Sequence, residues 1–293
     1  MRYSIAIPQA NQFATPTALR SMARAAEDLG FDGIWVSDHV IVPTGSDYIP
    51  ENLVEPLALL AWLASETDHV TLGTSVLILP YRNPVFTAKF LSSVDVLCGG
   101  RLAVGVGAGW LEAEFDALGV PFAERGARTD EALAVIRNLW ETETSAYDGE
   151  FTTYRDVRSF PKAAPGRRGT IPLVVGGNAA VSVRRAAQLG DGWHPINLSP
   201  ADLGVGVADY RRRCDEAGRS PGPVIMRHMP GGRTEARANG RAPLTGSTRE
   251  MAADLAAYAE AGLDEMMLSW ADRSVDGLIA RWRTFMREVA SKV

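Results

Sequence analysis

Gly33-Ile34-Trp35-Val36-Ser37-Asp38-His39 is the stretch whose reading decides the fold. Ile34 to Val36 form an apolar run without alternation, as in a strand buried on both faces. The run passes directly into a hydroxyl, a carboxylate and an imidazole. Parallel α/β proteins place their ligands at the C-terminal ends of such strands, in open sheets and closed barrels alike. A plainer reading stands beside this one: Asp38 caps the next turn and His39 is a half-buried loop histidine. What surrounds the pair has to decide.

Upstream, Ser4 to Pro8 is a short apolar strand. Thr15-Pro16 then supplies an N-cap and a first-turn proline to a helix with Leu19, Met22, Ala26 and Leu29 on one face and Gly30 as terminator. Downstream the same grammar repeats: a helix from Glu55-Pro56 to Thr67, a strand from Val70 to Leu79, a helix capped by Asn83-Pro84, and a strand from Arg101 to Gly107. Leu111 to Leu118 and Arg125 to Glu141 then read as helices, and the aromatic-polar alternation from Tyr147 to Phe160 around Asp148-Gly149 reads as a hairpin. Four further strands start at Pro172, Gly192, Val224 and Glu265. Helices separate them, one opened by the capping-box pattern Ser247-Thr248-Arg249-Glu250.

About eight strand-helix units make a (β/α)8 TIM barrel. The expected organisation is α/β, a single domain over 1–293, with insertions after strand 4 (111–170) and strand 7 (the loop 230–246). A doubly wound sheet would want Gly-x-Gly-x-x-Gly after the first strand, and Pro8 to Phe13 has no such turn.

Apolar residues at 46% and charged ones at 22% suit a globular protein with a large core. A net charge of -5 argues against nucleic-acid binding and gives no help to membrane binding. With no N-terminal signal pattern and no apolar run of bilayer length, the expected location is cytoplasmic. Cys98 and Cys214 lack Cys-x-x-Cys spacing and read as reduced and structural.

In a barrel the strand ends converge on one mouth. They bring Gln9, then Asp38 and His39, Ser75 to Leu79, Gly107, Gly109 and Trp110, Gly176-Gly177-Asn178, His194, Arg227 and His228, and Trp270. Such a mouth, mostly neutral and partly aromatic, suits a flat, partly apolar ligand. Gly105-x-Gly107-x-Gly109 either admits a ligand close to the backbone or only serves barrel packing. Gly176-Gly177-Asn178 before a helix favours a phosphate, unless Asn178 is merely an N-cap. No His-Glu-x-x-His pair supports a metal, no Gly-x-Ser-x-Gly elbow a serine hydrolase, and no paired carboxylates a glycosidase. By elimination the site wants an imported cofactor.

Five segments together resemble the luciferase-like monooxygenase family, and most its coenzyme F-420-dependent oxidoreductase branch of actinobacterial type. They are Phe31 to His39, Thr71 to Val76, Arg82-Asn83-Pro84, Arg101 to Trp110, and Val175 to Asn178 with Leu189 to Trp193. The resemblance implies a barrel holding a flavin or 5-deazaflavin, with a non-prolyl cis peptide at Ser75-Val76 behind the ring and Asp38 and His39 beside it. Val106 and Gly107 would line its other edge, and Gly176, Gly177 and Asn178 would hold phosphate. Thr74, Gly109, Trp193 and His194 complete the expected cofactor-binding set, and Trp110, Trp270 and Gln9 the substrate side. The sugar-oxidising branch has a tryptophan where this chain has Pro43, and a glutamate where it has Trp110.

The function this implies is hydride transfer between F-420 and a small or medium organic substrate. His39 would be acid or base, and Asp38 would orient it or bond to the ring. The alternatives are an FMN-dependent monooxygenase fed by a flavin reductase and a non-catalytic cofactor-binding protein. The expected partners are a small-molecule substrate and a second copy in a homodimer. Arg233, Arg237 and Arg241 would clamp a polyglutamate tail or simply belong to a lid.

Overall fold

The computed structural model describes residues 1–46, 49–164, 170–231 and 240–293. The strands in chain order are β1 (Arg2–Ala6), β2 (Gly33–Val36), β3 (Thr71–Ile78), β4 (Leu102–Gly107), β5 (Ser145–Asp148), β6 (Thr153–Val157), β7 (Leu173–Gly176), β8 (Gly192–His194), β9 (Ile225–His228) and β10 (Glu265–Leu268). Eight of them pair in the order β8-β7-β4-β3-β2-β1-β10-β9, every pair parallel. Isolated parallel bridges from Trp193 to Val224 and from Ile196 to Arg227 join β8 to β9, so the ring is nearly closed. This is the expected TIM barrel; β5 and β6 form the expected antiparallel hairpin outside it.

The helices are α1 (Pro16–Asp28), α2 (Pro56–Glu66), α3 (Pro84–Leu97), α4 (Glu112–Leu118), α5 (Arg125–Glu141), α6 (Ala180–Leu189), α7 (Pro200–Glu216), α8 (Thr248–Glu260) and α9 (Val275–Glu288). Their starts follow from the sequence. The Thr15, Asn83, Ser199 and Ser274 side chains accept first-turn amides, and Ser247 with Glu250 completes a capping box. Within the stretch 111–170, α5 packs against both α3 and α6, and the Trp140 indole donates to Ala88 O at 2.9 Å. It is therefore the fourth helix of the outer ring. In the loop 230–246, Arg233 and Arg237 lie outside the described residues, while Arg241 grips Asp254 of α8 through both terminal nitrogens.

Alternation along the strands sends one set of side chains inward and the other toward the helices. Ala6, Trp35, Ala103, Val174, Ile225 and Met267 make the inner cluster. Trp35 fills so much of it that a Cβ at Gly73 would stand 2.4 Å from its ring. With the interior plugged, a ligand of the barrel sits at its mouth and not inside it.

Candidate active site

A pocket of about 860 Å³ opens at that mouth, and every barrel strand or the segment just past its end contributes to it. Its wall includes Gln9, Asp38, His39, Ser75, Val76, Gly107, Gly109, Trp110, Gly176, Gly177, His194 and Trp270 from the expected set. Thr74, Val106, Asn178 and Trp193 are not part of it. Each of the four has another task. Val106 points to the helix layer, and the Thr74 hydroxyl donates to Gly105 O at 2.7 Å. Trp193 packs outward against Tyr210, with its indole donating to Gly177 O. The Asn178 amide is bonded in both directions to the backbone of Ile196, so it neither faces the pocket nor caps α6, whose N-cap is Ala179.

Ser75–Val76 is a cis peptide. A Cβ at Gly107 or Gly176 would meet the Val76 side chain at 2.7 Å, and one at Gly105 would run into Thr74 O. These glycines therefore make room for β3. Packing inside the barrel accounts for them, and only a thin backbone wall remains at Gly107 and Gly176.

Asp38 does not touch His39 in the way the adjacent positions suggested. Its buried carboxylate takes a bidentate fork from Arg82 at 2.6 and 2.9 Å and the amide of Ile78 at 2.8 Å. Burial pushes this carboxyl up from its ordinary range, while the Arg82 fork pulls the other way. Gln9 is likewise engaged: its amide accepts from Ser37 N and donates to Ser37 O and Val54 O. Both line the pocket, yet their polar atoms hold loops in place.

The partner of His39 is Glu114 on α4, fully buried, with Oε2 2.9 Å from Nδ1. The same carboxylate accepts from the Tyr81 hydroxyl at 2.8 Å and from the amides of Val40 and Ile41. Burial and Glu114 together push the Tyr81 phenol well above its ordinary range, so it stays a donor. Surrounded by donors, Glu114 acts as an acceptor, and His39 carries its proton on Nδ1. Nε2 is left as the lone-pair nitrogen, with no hydrogen bond among the described residues. Glu114 has a signal in sequence: it falls on the apolar stripe of Leu111, Phe115 and Leu118, where a charge needs a buried partner.

At the base of the pocket, His194 Nδ1 donates to Ile225 O at 2.5 Å and Nε2 accepts from the Ser75 hydroxyl at 2.9 Å. Burial lowers its pKa to about 4, so the ring is neutral. Arg227 also lines this region. Its Nε is buried without a partner, an open donor that fits the polar edge of a flat heterocycle. The N-terminus of α6 has no side-chain cap, so the amides of Ala180 and Val181 are open to phosphate oxygens, while those of Ser182 and Val183 donate to Ala179 O.

A parallel barrel with a mixed, largely apolar pocket at its C-terminal mouth is the arrangement in which TIM-barrel enzymes place their active sites. The model of the luciferase-like monooxygenase family matches residues 1–243, and the chain belongs to that family. An uncharacterised protein of Mycobacterium tuberculosis is 32% identical over 212 residues, covering 68% of this chain and 72% of that one. The F-420-dependent glucose-6-phosphate dehydrogenase of Kineococcus radiotolerans is 32% identical over 221 residues, 73% of this chain and 63% of the relative. Among solved structures, an F-420-dependent secondary alcohol dehydrogenase in complex with an F-420-acetone adduct superposes with a TM-score of 0.81 at 20% identity, over 100% of both chains. The oxygenating constituent of 3,6-diketocamphane monooxygenase from Pseudomonas putida, in complex with FMN, gives 0.80 at 18% identity, over 100% of this chain and 99% of that one. At those identities the two structures share the fold. No helix among the described residues is long and apolar enough to cross a membrane.

Proposed function

We propose that this protein is an oxidoreductase that moves a hydride between coenzyme F-420 and a small or medium organic substrate bound in the mouth. The observation that carries this reading is the His39–Glu114 pair on the pocket wall, a proton-handling group beside space for a ring. The relatedness to a dehydrogenase named for F-420 supports that cofactor over FMN. Ser75, Val76, Gly107, Gly176 and Gly177 would hold the cofactor, with the free amides of α6 on its phosphate. When bound, it supplies the hydride donor or acceptor.

His39 Nε2 takes a hydroxyl proton from a substrate being oxidised, or returns one to a carbonyl being reduced. Glu114 stabilises the imidazolium formed in the first case and fixes the tautomer in both. Trp110 and Trp270 present apolar surface to the substrate and exclude water. A cytoplasmic location and a homodimer are both part of the reading; the exposed Phe86 and Leu97 on α3 support the second. The test is a fluorescence titration of the purified protein with F-420 and with FMN. Tight binding of FMN and none of F-420 would overturn the choice of cofactor.

A further inference from the structure

Arg227 is the last charged group before the end of β9, and it reaches across the mouth. Its Nη1 donates to the Ser37 hydroxyl and to Ser75 O, both at 3.0 Å, and its Nη2 to the Ser269 hydroxyl at 3.2 Å. These acceptors sit on or just past β2, β3 and β10, so the guanidinium is fixed from three sides. All three are neutral. Arg227 takes part in no ion pair among the described residues, and its buried Nε has no acceptor at all.

The other charged side chains of the pocket are already balanced. Asp38 is held by Arg82, and the His39 imidazole is hydrogen-bonded to Glu114, which lies behind it and off the pocket wall. Asp272 pairs with Arg281 and accepts the amides of Arg273 and Ser274. One positive charge is therefore left over at the base of the pocket. A desolvated cation without a counter-ion is costly, and a site built this way is complementary to an occupant that brings negative charge. Burial lowers the Arg227 pKa to about 10, which still leaves it protonated near neutrality.

We propose that Arg227 is the counter-charge for the reduced form of the bound ring, holding the deprotonated pyrimidine edge of a dihydro-deazaflavin or dihydroflavin. The inference rests on the reading that the pocket takes such a ring. Along that edge an oxidised flavin is neutral, and an oxidised 8-hydroxy-deazaflavin carries only the share of charge that its distant ring hydroxyl, once ionised, delocalises onto it. Their reduced forms are weak acids there and shed a proton readily, so the cation discriminates between the two redox states. The protein then binds reduced cofactor more tightly than oxidised and raises its midpoint potential relative to the free cofactor. Ser37, Ser75 and Ser269 hold the guanidinium without cancelling its charge, a task that carboxylates could not perform.

The test measures dissociation constants for oxidised and reduced F-420 under anaerobic conditions, with FMN run in parallel, in wild type, Arg227→Lys and Arg227→Met. Wild type should favour the reduced form by about tenfold or more, equivalent to about 30 mV per tenfold for a two-electron couple. Arg227→Met should remove that preference while still binding the oxidised ring, and Arg227→Lys should keep most of it. Equal affinity of wild type for both forms overturns the proposal without recourse to any variant, and so does an undiminished preference in Arg227→Met. If neither F-420 nor FMN binds wild type in any state, the functional reading itself fails and takes this inference with it.

Discussion

Glu114 Oε2 and His39 Nδ1 stand 2.9 Å apart, although 75 residues separate them along the chain. The residue next to His39, Asp38, faces away to Arg82. The imidazole is therefore oriented from α4, not from its own loop.

His39→Ala should lower turnover by about 100-fold, the scale of a positioned acid or base, with cofactor affinity nearly unchanged. Steady-state rates beside a cofactor titration check this. An unchanged rate removes His39 from the mechanism.

Glu114→Gln keeps the shape of the side chain but puts an amide where Tyr81 O–H, two backbone N–H groups and the imidazole all donate. Turnover should fall by about tenfold or more, and the substitution should destabilise the fold by about 1–3 kcal/mol because a buried donor loses its acceptor. Urea unfolding and kcat, measured on one preparation, separate the two effects.

Arg82→Met leaves the buried Asp38 carboxylate without its fork and should cost about 3–5 kcal/mol of stability. The denaturation midpoint reads this directly. Asp38→Asn should cost less, since the amide can still accept from Ile78 N, and a stability loss as large as that of Arg82→Met would contradict the assignment of Asp38 as a strut.

The buried His194 gives a pH dependence whose sign is fixed. Its pKa falls from 6.5 in the unfolded chain to about 4 in the fold, so the unfolded state binds the extra proton between those values. The contribution is complete above pH 6.5 and is lost as the pH falls toward 4, amounting to about 3 kcal/mol at 1.36 kcal/mol per pH unit. His228, lowered by burial as well, acts in the same sense. His194→Gln should flatten the slope of unfolding free energy against pH in this window by about one proton; an identical slope would refute the assignment.

The barrel is legible because buried strands, caps and terminal glycines are local signals. Asn83-Pro84 and Ser247 to Glu250 mark their helices within a residue, and Gly33 to Val36 emerges as β2. The strand tips were also readable as pocket wall. What escaped was direction and distance. Val106 and Gly107 are neighbours, yet alternation sends one to the helices and the other to the mouth. Asn178 sits where a phosphate ligand or N-cap is expected, and only the return of the chain at Ile196 explains its side chain. Glu114 and Arg82 are partners supplied by other elements, which adjacency along the chain does not reveal.

The first strand and the last are neighbours in the ring: β1 pairs with β10, and the Ser4 hydroxyl donates to a Glu265 carboxylate 261 residues away. During synthesis, β1 leaves the ribosome long before its partner exists, so one of its edges must wait until β10 emerges. A ribosome stalled or a message truncated before Glu265 releases a chain with an unsatisfied strand edge, a template for aggregation. For this architecture, chaperones matter most in the interval before β10 has been made.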